Sequence, residues 1–214
     1  LTAIFCGILP AGLLAALVCA MASVPNYRKL GRWSFALFLL AIVLLSSARS
    51  DAATMTFKAT LGPEATGATG AGSVRVDYDA TAQTLLITSD WSGLSGTTTV
   101  AHIHCCTAVP GAGTVGVAVT PGTLPGFPVG TTAGAYASPA LDLTDSATFT
   151  SAFLNNFGGG QASGAEAALL AGMLAGRAYF NVHTMAFPGG EIRGFLAVPE
   201  PASLALLGLG LAGL

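Results

Sequence analysis

The sequence predicts an all-β fold, an antiparallel β-sandwich or barrel with one short helix, flanked at both ends by apolar targeting segments. Three observations lead there. Apolar and polar residues alternate with period two from Thr54 onward, Gly- and Pro-rich stretches separate the alternating runs, and the charge of the chain is confined to its middle. Of the 214 residues 52% are hydrophobic and only 8% charged, far below the roughly 25% usual in a soluble domain. That imbalance comes from the ends. Residues 1–20, 33–48 and 202–214 carry no charge, whereas the middle holds four basic residues against nine acidic ones. A weakly acidic body without a basic patch excludes nucleic acid as a partner.

The elements follow in chain order. Residues 1–20 precede Met21, where a signal peptide of ordinary length would start, so they are read as an over-extended start or an extra apolar segment. Residues 21–53 have the layout of a secretory signal. Arg28, Lys29 and Arg32 form its positive region, Trp33 to Leu45 its apolar run, and small residues from Ala48 to Ala53 its cleavage zone. Thirteen residues are too few to span a bilayer, which takes about 20. Export by this route puts Cys105 and Cys106 in an oxidising compartment.

A β domain is expected over 54–197. In TMTFKATL, Met55, Phe57, Ala59 and Leu61 share one face; in SVRVDYD, Val74, Val76 and Tyr78 do. QTLLITSDWSGL, TVAHIH, RAYFNVHT and EIRGFLAV read as further strands, the last two joined by a hairpin loop at MAFPGG. Residues 105–135, rich in Gly, Pro and Thr, read as a long loop with short extended pieces, functional or mobile rather than core. SGAEAALLAGMLAG reads as a helix at about 164–175, with Ser163 and Glu166 spaced as a capping box and Gly176 closing it.

The candidate site is AHIH. On a strand, His102 and His104 project from one face, and His183 shares a face with Asn181 in NVHT. If the two strands meet, three imidazoles converge, enough to hold zinc or copper. Cys105 or Cys106, if deprotonated, would be a fourth and softer ligand; the pair equally allows two thiols or a disulfide with each other. The alternative for the histidines is hydrogen bonding to neighbouring carbonyls or carboxylates, with Glu191 facing His183 across the hairpin and an ion pair between Glu191 and Arg193. Three histidines are too few for a dinuclear copper–zinc centre, and no hydrolase motif, phosphate loop or CxxC is present, so a non-catalytic role is expected and no catalytic residue is assigned; the alternative is a mononuclear copper or zinc protein using His102, His104 and His183, redox-active, enzymatic or metal-storing.

Two resemblances sharpen this. FKATLGPE (57–64), VDYDATAQTLLITSDWSGLSG (76–96), AHIH (101–104) and AYFNVHTMAFPGGEIRGFL (178–196) together resemble the CHRD domain, which implies an immunoglobulin-like β-barrel and carries no established activity. Where such domains often place Gly-Pro after the second histidine, this chain has Cys105-Cys106. At 198–214, Pro199, Glu200 and Pro201 ahead of a Leu/Gly/Ala run resemble the PEP-CTERM sorting signal. That resemblance implies the secretion machinery and an exosortase-type membrane peptidase as partners, a cell-surface or extracellular-matrix location with transient membrane attachment through the tail, and extracellular polysaccharide as a neighbour.

Overall fold

Alternation in the sequence becomes alternation in burial. The structure, a computed structural model, describes residues 54–199. Strand β1 (Thr54–Pro63) buries Phe57 and Leu61, β2 (Ala71–Asp79) buries Val74, Val76 and Tyr78, and β3 (Thr84–Ser92) buries Leu85, Ile87 and Trp91. The residues that alternate with them are exposed or half-buried. Strands β4 (Thr98–His104), β5 (Val117–Val119), β6 (Gly134–Ala137), β7 (Leu141–Asp142), β8 (Tyr179–Thr184) and β9 (Ile192–Phe195) complete the sheet.

All pairings are antiparallel. The order along the sheet is β5-β4-β8-β9-β1-β2-β3-β6, with β7 pairing β3 off this path. β1 is the seam. From Thr54 to Leu61 it pairs with β2, and at Gly62 and Pro63 it pairs with β9. The sheet curls round one core in which Phe57, Ile87, Ile103, Phe180, Val182 and Ile192 are fully buried. Each such side chain contributes roughly 1.5–3 kcal/mol by leaving water. The chain closes on the seam too, because Lys58 and Ala197 exchange backbone hydrogen bonds of 2.8 and 3.1 Å.

Two helices cover the core where the sequence led us to expect one. Helix α1 (Ser151–Phe157) starts at Thr150, whose side chain accepts from the Phe153 amide at 3.2 Å. Its seven residues are too short to show a helical period. Helix α2 (Ala162–Leu174) occupies the expected place, but its N-cap is Gln161, without a side-chain cap. The capping box expected from Ser163 and Glu166 does not form. Glu166 turns inward instead, accepting from Tyr78 Oη and Gln83 Nε2, each at 2.8 Å, and ties α2 to the sheet. Ala165, Leu169, Gly172 and Met173 form the buried face of α2. At Gly172 the absent side chain admits the sulfurs of Cys105 and Cys106, with which a Cβ would collide. The extra apolar segment expected at 1–20, the signal peptide expected at 21–53 and the tail beyond Pro199 lie outside the described residues.

Candidate metal centre

The β4–β8 ladder sets His102 opposite Asn181, His104 opposite Tyr179, and Val100 opposite His183. Side chains at opposed positions share a face, so His102, His104, Tyr179, Asn181 and His183 stand together on the outer side. Ala101, Ile103, Phe180 and Val182 take the inner side and are fully buried. Strand β9 continues the outer row with Arg193 opposite Asn181 and Phe195 opposite Tyr179. The outer row is covered as well. His102 and His104 are buried beneath the loop expected at 105–135, and His183 is half-buried beside the β8–β9 turn.

Each imidazole has one nitrogen facing a backbone carbonyl. His102 Nε2 meets Gly122 O, His104 Nδ1 meets Val115 O at 2.8 Å, and His183 Nδ1 meets Pro188 O at 2.8 Å. A carbonyl only accepts, so these three nitrogens carry the protons and the other nitrogen of each neutral ring keeps its lone pair. One nitrogen from each histidine lies within 4.8 Å of the other two. His102 Nδ1 and His183 Nε2 are 3.4 Å apart. Two ligands of a tetrahedral ion with bonds of ~2.1 Å stand about 3.4 Å apart. Fixing the tautomer of a metal-binding histidine by an outer hydrogen bond is the usual way to aim its lone pair.

Burial favours the neutral form of His102 and His104. Desolvation lowers the pKa of His102 from 6.5 to about 4, against the opposing effect of its bond to Gly122, and the neighbouring His183 and His104 depress it further. Desolvation likewise lowers His104, partly offset by its bond to Val115. His104 also stacks on Tyr179, ring centroids 4.7 Å apart and planes 3° from parallel.

The structure therefore brings together His102, His104 and His183. It does not bring the cysteines to them. Cys105 and Cys106 form a disulfide with each other, and sulfurs so bonded are not thiolate ligands. The pairing of His183 with Glu191 does not form. Glu191 is fully buried, accepting from Thr184 Oγ1 at 2.6 Å and from the Ser95 and Gly96 amides. Nor does Glu191 pair with Arg193, whose Nη1 reaches Glu64 Oε1 at 3.1 Å. Two polar residues beside the histidines received no role from the sequence. Asn181 Oδ1 lies 3.1 Å from His104 Nε2, and Asn181 Nδ2 donates to Glu64 Oε2 at 3.1 Å. Asn181 had a signal, its place two residues before His183. Glu64 had none, since it reaches Asn181 across 117 positions of chain.

A curled antiparallel sheet with a histidine cluster on its outer face defines the class, an all-β domain. The CHRD domain model matches residues 52–196 and the PEP-CTERM protein-sorting motif matches residues 197–214. The chain belongs to the CHRD domain family, and its tail is the mark of a protein sent to an exosortase for processing at the membrane. No curated relative and no solved structure matches the chain. Among the described residues no helix is long and apolar enough to cross a membrane.

Proposed function

We propose that this is an exported CHRD domain protein that holds one copper or zinc ion between His102, His104 and His183, in a non-catalytic role at the cell surface or in the extracellular matrix. The observation that supports the metal is the common orientation of the three rings, each spending its proton on a backbone carbonyl and leaving a lone pair to the cluster. Structural histidines need donate only one hydrogen bond each; nothing in ordinary packing requires their remaining lone pairs to meet. Imidazole suits both zinc and copper, and both metals are borderline enough to accept three neutral nitrogens. The sorting tail supports the location, with extracellular polysaccharide as the surrounding polymer.

Metal analysis of the exported protein tests this reading. The expected result is one ion per chain, lost on His104→Ala with the fold retained by circular dichroism. A wild-type chain that is folded, carries no ion and takes up neither zinc nor copper when titrated removes it.

A further inference from the structure

At one point the hydrogen bonding around the histidines does not balance. His104 gives its proton to Val115 O, so its Nε2 is a lone pair, yet the atom facing that nitrogen at 3.1 Å is Asn181 Oδ1, another acceptor. Turning the amide over brings no relief, because its Nδ2 donates to Glu64 Oε2 and a flipped oxygen would oppose that carboxylate. Moving the proton of His104 to Nε2 would only shift the conflict to Val115 O, at the shorter distance of 2.8 Å.

The amide is held where it is. Glu64 accepts from Arg193 Nη1 through its second oxygen, and the Arg193 guanidinium lies over Tyr179 and Phe195, 5.1 and 5.4 Å from their ring centroids. Gly190, at φ +124°, leaves room for this arrangement. A Cβ there would collide with Glu64 Oε2 and stand 2.8 Å from Asn181 Nδ2. Two lone pairs fixed face to face in a buried site repel each other. A cation between them turns that repulsion into attraction.

We infer that Asn181 Oδ1 is the fourth ligand of the metal ion, with Glu64 as the negative charge behind it. This rests on the metal-binding reading above and deepens it. Three imidazoles and one amide oxygen complete a tetrahedral set, and a site closed by four protein donors holds its ion without an open position for substrate. The four ligands are all neutral, so the ion keeps its charge. Glu64 offsets that charge from the second layer and, by accepting from Asn181 Nδ2, makes the amide oxygen a better donor to the ion. All four ligands come from β4 and β8, so the ion pins that pair of strands.

The experiment uses the exported chain stripped of metal and reloaded with zinc for affinity, by competition with a chromophoric chelator, and with cobalt for visible spectra. Asn181→Ala is expected to weaken zinc at least tenfold, the scale of losses at metal-site supporting residues, and to open a position to which azide binds, shifting the cobalt spectrum. Wild type should ignore azide. Unchanged zinc affinity in a folded N181A, or a wild-type spectrum that azide already shifts, overturns the assignment. A wild type that binds no ion overturns the metal site itself, whereas an ion bound equally by both chains overturns only the role of Asn181. Should N181A fail to fold, Glu64→Gln decides, with a severalfold loss of affinity expected and an unchanged affinity overturning the proposal.

Discussion

The two halves of the curled sheet obey different burial rules. In β2 and β3 every second residue is exposed or half-buried, and Arg75, Asp77, Thr88 and Asp90 occupy the outer face. In β4 and β8 nearly every residue is buried or half-buried on both faces. A strand with one wet face needs only alternation, because water satisfies its polar side chains. A strand covered on both faces must either be apolar throughout or provide partners for each polar group it hides. β4 and β8 take the second course, with His102, His104 and Asn181 on one face and an apolar row on the other.

The sharpest way to break this contrast is on the inner face, common to both halves. Phe180→Ala should cost about 3–5 kcal/mol, measured by urea unfolding; a loss below 1 kcal/mol would mean that β8 is not packed as described. Next comes Glu191, whose carboxylate serves two backbone amides and Thr184 beneath the β8–β9 turn. Glu191→Ala leaves these donors without a partner and should cost roughly 2–3 kcal/mol.

Acid sharpens the comparison further. His102 has its pKa lowered from 6.5 to about 4, so the folded state binds fewer protons than the unfolded state between those values. Its contribution to stability is fully present above pH 6.5 and is lost as the pH falls toward 4. Glu191 acts lower. Burial alone would raise its pKa, but hydrogen bonds from Thr184, Ser95 and Gly96 outweigh it and the net shift is downward; its contribution is present above the ordinary carboxylate value and lost below it. The stability of the metal-free chain, followed by tryptophan fluorescence, should fall from pH 6.5 downward, and His102→Gln should shrink that limb, with His104 supplying the remainder. An equal limb in the variant would assign it elsewhere. The smallest effect belongs to the wet half. Thr88→Ala, on the exposed face of β3, should change stability by no more than about 0.5 kcal/mol.

The same contrast explains what the sequence revealed. β1, β2 and β3 were legible because one-sided burial writes itself as alternation. In β4 the His102/His104 pair was legible for the same reason, as two positions on one face. What brings His183 to them is the placement of β8 beside β4, although β5, β6, β7 and both helices lie between them in the chain. No local pattern encodes that adjacency. Glu191 and Glu166 were misjudged by a shared assumption, that a glutamate near a turn or helix start serves its neighbours. Both are drawn inward by distant partners, Ser95 and Tyr78. The disulfide was one of three open states of Cys105 and Cys106, and the lack of a side chain at Gly172, 66 positions beyond Cys106, is what gives it room.

The backbone bonds between Lys58 and Ala197 have a mechanical consequence for a protein tethered by its tail. Tension applied beyond Pro199 reaches the body first at Ala197, and there it is handed to β1, the strand that neighbours both halves of the sheet. The tether thus pulls on the seam of the sheet, and the histidine-bearing strands β8 and β4 lie two and three places away along it.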